Sequence, residues 1–184
     1  GQEKVTFEVS SYEATVEINN SIFRENFAET QGAVLSTIDF DVIINNSEFS
    51  ANTNLGAGAG GAMSLNATDT STVDVTIAHT TMANNFGVIG AGIATFTGEV
   101  DSKLDVTITN SILANPDGNN YEVEAGTPKF SSNGGNISGD ASTIDAFTNT
   151  NDINEAGDPD DIFEDADDFN FFPVAGSVAI DNGV

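Results

Sequence analysis

Apolar and polar residues alternate through four separate stretches of the chain. These are Val16-Glu17-Ile18-Asn19-Asn20-Ser21-Ile22-Phe23, Val42-Ile43-Ile44-Asn45-Asn46-Ser47-Glu48-Phe49, Val75-Thr76-Ile77-Ala78-His79-Thr80-Thr81-Met82 and Val106-Thr107-Ile108-Thr109-Asn110-Ser111-Ile112-Leu113. In an extended strand the first and third residues of each share one face, and that face is Val/Ile in all four copies. The opposite face changes from Glu17 to Ile43, Thr76 and Thr107. The leading valines are 26, 33 and 31 residues apart. A second element lies between the copies: Gln31-Gly32-Ala33-Val34-Leu35, Gly60-Gly61-Ala62-Met63-Ser64-Leu65 and Ala91-Gly92-Ile93-Ala94-Thr95-Phe96, its glycines stepping by 29 and 31. Two phased elements require at least two strands per repeat. A single repeat has nothing on which to bury its apolar face, so the copies must stack. The pattern predicts an all-β, single-stranded parallel β-helix, a solenoid of about five to six coils. At about 4.8 Å per coil that is a rod of roughly 25–30 Å.

Within the repeat, Asn20, Asn46, His79 and Asn110 fall where the strand must bend. Asn tolerates the left-handed dihedrals of a bend, and stacked amides hydrogen-bond as a ladder. His79, the one histidine of the chain, stands in an Asn place and reads as part of this structural ladder. A second row follows at Asn26, Asn52 and Asn85, with Pro116 at the aligned place in the last copy. The chain reads as one domain over 1–184, with a first edge strand in 1–14, regular coils over 15–140, and an acidic loop and closing segment over 141–184.

Composition narrows the function. The formal net charge is −25, from 29 Asp and Glu against 4 Lys and Arg. Nucleic acid and anionic lipid both need cationic neutralisation, so neither is expected as a partner. No stretch approaches the roughly 18 apolar residues of a membrane span, and membrane insertion is not expected. There is no Cys, which excludes disulfides and thiolate metal sites.

Candidate chemistry lies in the carboxylates. Asp41, Asp74 and Asp105 recur just before the core Val in three copies. Carboxylates about 5–9.5 Å apart can serve glycoside hydrolysis, but the basic residues Lys4, Arg24, Lys103 and Lys129 never fall in phase with an Asp pair. The chain is therefore expected not to be an enzyme. The acidic tract offers Asp158, Asp160, Asp161, Glu164 and Asp165 as hard oxygen ligands, the set a calcium ion would use, with solvation as the simpler reading. Sequons occur at Asn19, Asn45, Asn66 and Asn136; Asn66, in an expected loop, reads as the most accessible glycosylation acceptor, and Asn136 as another.

The alternation of Gly-Gly-Ala or Ala-Gly-Ile strands with Val-x-Ile-x-Asn-Ser-x-Phe strands resembles the right-handed parallel β-helix repeats of surface proteins. Polymorphic outer-membrane-protein-like repeats and choice-of-anchor β-helix proteins share this style. Gly134-Gly135-Asn136-Ile137-Ser138-Gly139-Asp140 is similar to their last full coils. Asp158-Pro159-Asp160-Asp161-Ile162-Phe163, Asp168-Phe169-Asn170-Phe171 and Gly176-Ser177-Val178-Ala179-Ile180-Asp181-Asn182-Gly183 follow the order of their closing segment, with Val178 where those proteins usually carry Pro. The resemblance implies a right-handed winding, as parallel crossovers generally have, and an extracellular or cell-surface location. It points to a structural subunit of a surface layer or filament that self-associates head to tail through the two ends of the solenoid. The alternative is an adhesin or glycan-binding module with a glycan or cell-surface partner. A polysaccharide lyase or hydrolase is the third reading.

Overall fold

The structure, a computed structural model, describes residues 14–98 and 101–180. Lys4, Tyr12, the expected edge strand at Val5-Thr6-Phe7-Glu8-Val9, and Asp181, Asn182 and Gly183 of the closing motif lie outside the described residues.

The chain winds as a parallel β-solenoid of about four turns, fewer than the five to six expected. Residues 141–180 add no further full turn and fold over the end and side of the winding. Each full turn has four walls. The first wall is built from Thr15–Asn19, Asp41–Asn45, Thr72–Ala78, Lys103–Thr109 and Lys129–Ser132. The second stacks Ile22–Arg24, Glu48–Ser50, Thr81–Ala83, Ile112–Ala114 and Ile137–Ser138. The third has Phe27–Ala28, Thr53–Ala59 and Phe86–Ile89, and the fourth Leu35–Ile38, Met63–Ala67, Ile93–Thr97 and Tyr121–Ala125.

Register follows the repeat. Val16 pairs with Val42, Val42 with Val75, Val75 with Val106, and Val106 with Phe130, so the valines form one column. A second column, Ile18, Ile44, Ile77 and Ile108, runs beside it. Uneven repeat lengths are absorbed in turns. Seven residues separate Leu35 from Val42, but twelve separate Met63 from Val75, and the surplus is the turn at Thr68–Ser71.

The core is the inward residue of every strand: Val42, Ile44, Phe49, Met63, Leu65, Ile77, Met82, Ile93, Ile108 and Leu113 are fully buried. Phe23 stacks on Phe49 with ring centres 5.1 Å apart. Two phenylalanines stand apart from the core, Phe27 and Phe172, at 45% and 73% exposed. Phe27 opens an outward column of the third wall that continues to Thr53 and Phe86.

Bends are sharp because their residues adopt left-handed backbone. Asn20, Asn46, His79 and Asn110 have φ of 50°, 49°, 51° and 47°, and each N–H donates at 3.1 Å to the carbonyl of the coil above. At the second bend Glu25, Ala51 and Asn84 do the same, with φ of 54°, 52° and 55°. Between the third and fourth walls glycine is required: Gly60 has φ +85°, and a Cβ there would lie 2.1 Å from the carbonyl oxygen of Met63.

After Ile137–Ser138 the winding stops. Residues 141–148 turn across the end of the core and set Phe147, almost fully buried, against Phe130, which stacks on Tyr121. Ile153 then pairs in parallel with Ile137, and Ala156 and Gly157 donate to the carbonyls of Ser138 and Gly139, a short partial rung stacked on the second wall. A short helix, Pro159–Ile162, and an antiparallel pair, Phe163–Asp165 with Asn170–Pro173, follow. This end is therefore capped by the chain itself. A bare apolar core at this end would expose the Tyr121 and Phe130 rings, and Phe147 covers them.

Candidate functional site

Polar side chains are sorted by wall. On the first wall, alternation turns Asp41, Asp74 and Asp105 outward, and register places them in one column that begins at Thr15 and ends at Lys129. Asp41 accepts a hydrogen bond at 2.8 Å from the N–H of Asp74 one coil above. The row thus forms a solvent-facing strip along the wall, with Asp74 and Asp105 exposed and Asp41 half-buried.

Two concave places border this wall. At the first bend a shallow depression of about 340 Å³ is lined by Asn20, Asn46, His79, Ile22, Glu48 and Thr81, among others. There Asn46 Nδ2 donates to Asn20 Oδ1 at 2.7 Å, the exposed rung of the predicted ladder. At the opposite edge a second depression of about 390 Å³ lies at Asp39 and residues 68–72. The Asp39 carboxylate accepts from Thr68 N–H (2.6 Å), Thr68 Oγ1 (2.6 Å) and Ser71 Oγ (2.5 Å), fastening the long turn of the next coil. Partial burial is the largest influence on its pKa and raises it. The hydrogen bonds from Ser71 and Thr68 together outweigh that, so the group sits below the ordinary carboxylate value.

The most organised polar feature is inside. Asn52 Oδ1 accepts from both the N–H and the Nδ2 of Asn26, at 3.0 and 2.9 Å. Asn85 Oδ1 accepts the same pair from Asn52 at 3.1 and 2.9 Å, and Asn115 Oδ1 from Asn85 at 2.8 and 3.0 Å. Asn120 Oδ1 closes the series with 3.0 and 2.8 Å to Asn115, and its own Nδ2 donates to Ser138 Oγ. Asn52, Asn85, Asn115 and Asn120 are buried. The residue after each left-handed bend points its N–H into the interior, and the amide oxygen of the next Asn replaces the missing backbone acceptor. The sequence indicated the first three members. It placed Pro116 fourth, whereas the structure uses Asn115: the last coil is one residue shorter here, and proline has no N–H to give.

The acidic tract does not converge. Asp161 accepts from the N–H of Asp158 (3.0 Å) across the first turn of the short helix. Asp165 accepts from the N–H of Asp168 (3.2 Å), and Glu164 from Asn170 Nδ2 (3.1 Å). Asp158 and Asp160 are exposed on either side of the buried Pro159. Among the described residues no group of three or more such side chains comes together to hold a metal ion. Asp161, Glu164 and Asp165 thus each accept a hydrogen bond from a residue within their own local segment.

Two sequons lie away from solvent, and the expected loop at Asn66 is a strand. Asn66 belongs to the strand Met63–Ala67, not to a loop; it is buried, and its Nδ2 donates to Thr37 O and Ser64 Oγ. Asn136 is fully buried, with Nδ2 on Ile108 O and Ser132 Oγ. Neither nitrogen is free for a glycan in the folded chain. Asn19 and Asn45 are exposed neighbours on the first wall.

Arg24, the remaining basic candidate, forms a bidentate pair with Glu48 (2.6 and 2.8 Å) and lies 4.6 Å over the ring of Phe169. Hydrogen bonding to Glu48 keeps its pKa raised. Comparison with family models, with curated proteins and with solved structures finds no match to this chain. The fold and its motifs therefore carry the functional reading. No described helix is long and apolar enough to cross a membrane.

Proposed function

We propose that the chain is a non-catalytic structural module of an extracellular or cell-surface assembly, a rigid acidic spacer rather than an enzyme. The observation that supports this most is the buried Asn26–Asn52–Asn85–Asn115–Asn120 column. Its polar side chains are committed to holding coils together, as are Asp39 and the bend residues. The carboxylates left over face solvent on flat walls, where they keep such a module soluble and extended. Assembly into a layer or filament is part of the proposal.

The test is sedimentation and negative-stain microscopy of the full chain over rising protein and salt concentration. Ordered oligomers support a layer or filament subunit. Monomers at every condition remove the assembly half of the proposal. Cleavage of any acidic or neutral polysaccharide, lost in Asp74→Asn or Asp105→Asn, would refute the non-catalytic half.

The alternative reading, an adhesin or glycan-binding module, is favoured by one place: the depression at the first bend, where amides, an exposed Ile22 and Glu48 stand together. Amide and carboxylate groups beside an apolar surface suit a saccharide. Reproducible glycan-array binding that is weakened by Asn46→Ala would select this reading.

A further inference from the structure

The closing segment does more than cap the end. From Ile153, which bridges to Ile137 in the last coil, the chain runs back along the outside of the second wall. Ile162, Phe163 and Ala166 bury themselves against Ala83 and Ala114 in a small second core. Asp167 accepts from Asn84 Nδ2 at 3.1 Å, and Phe169 receives the guanidinium of Arg24, which belongs to the first coil. Arg24, Ser50, Ala83 and Ala114 form one outward column in register. Side-chain size along it falls from Arg to Ala towards the end where the segment lies deepest, and Ser50, Ala83 and Ala114 are fully covered.

A solenoid is held by contacts between adjacent coils only, so its end coils open independently of the rest. We propose that residues 153–173 act as an external strap that couples the first coil to the last, so that the described coils open as one unit. The strap bypasses the nearest-neighbour chain: one continuous segment touches the coils of Arg24, of Ala83 with Asn84, of Ala114, and of Ile137. Its grip on the first coil is polar and shallow, through Arg24 and Phe169, while its anchor at Phe163 is deep and apolar. The first coil is therefore fastened to a point several layers away, and Glu48, by fixing the guanidinium, sets where that fastening occurs.

Native-state hydrogen exchange on the full chain reads this directly. Phe169→Ala removes the fastening without touching the core, since Phe169 is only half-buried. The expected result is exchange about two- to fivefold faster at the amides of Ile22–Arg24 and Glu48–Ser50, the range a surface cation–π contact supports. Amides of Lys103–Thr109, in a distant coil, should keep their rates. Asp167→Asn, which preserves the shape of the strap, should leave the first coil within twofold of wild type. Unchanged exchange at Ile22–Arg24 in Phe169→Ala would overturn the strap. So would equal acceleration in every coil, since that would mean the residue acts on global stability and not on coupling.

Discussion

Replacing Asn85 by Ala tests whether the internal amide column is a structural spine. The side chain of Asn85 makes four bonds: its oxygen accepts from Asn52 N–H (3.1 Å) and Asn52 Nδ2 (2.9 Å), and its Nδ2 donates to Phe49 O (2.9 Å) and Asn115 Oδ1 (3.0 Å). Alanine leaves the buried Asn52 N–H without its acceptor, and strands one hydrogen of an amide that keeps only Phe23 O. Each orphaned buried donor costs about 1–3 kcal/mol, and the two together about 2–6 kcal/mol. A domain of this size has about 5–15 kcal/mol in all, so the loss is a large part of it. Equilibrium urea unfolding followed by circular dichroism measures the change directly. Asn20→Gly is the matched control: it removes one exposed bond, Asn46 Nδ2 to Asn20 Oδ1, while glycine accepts the positive φ. That variant should stay within about 1 kcal/mol of wild type. Equal effects from the two variants, or a change below about 1 kcal/mol for Asn85→Ala, would refute the idea that burial of the column decides its weight.

Other outcomes follow from the same structure. Ile77→Ala, at a fully buried column position, should destabilise by about 2–4 kcal/mol, whereas Thr76→Ala beside it, facing solvent, should change stability by less than about 0.5 kcal/mol; chemical denaturation separates them. Asp39 has a folded pKa below its ordinary value of 3.8, so its contribution is present above that value and lost as the pH falls through the lowered one. Acid titration of the unfolding midpoint should therefore be shallower in Asp39→Asn than in wild type below roughly pH 4, and identical profiles would discard the role given to Asp39. With net charge −25 and Arg24–Glu48 as the one ion pair found among the described residues, thermal stability should rise as salt goes from about 0.1 M to about 1 M. A melting temperature indifferent to salt would show that the carboxylates are too far apart to repel.

What the sequence determined by itself is the winding. Repetition is the reason: when the same Val and Ile recur in phase, the one arrangement that buries every copy is a stack, and the register Val16–Val42–Val75–Val106 comes with it. The first bend was equally legible, because left-handed backbone favours Asn, which holds three of its four places; the second bend, at Glu25, Ala51 and Asn84, was not. Where the repeat decays, legibility ends. Asn115 takes the place that simple alignment gives to Pro116, and burial of Asn66 and Asn136 depends on which wall their segments join. The tail carries no period at all, so its path over Phe130 and back along Ala114 and Ala83 to Arg24 was decided by shape: small side chains on one outer column leave room, and Phe163 and Phe147 fill the spaces that the coils leave open. Periodic burial is a local property multiplied, which a sequence displays; complementarity between a unique segment and a finished surface exists only once that surface has formed.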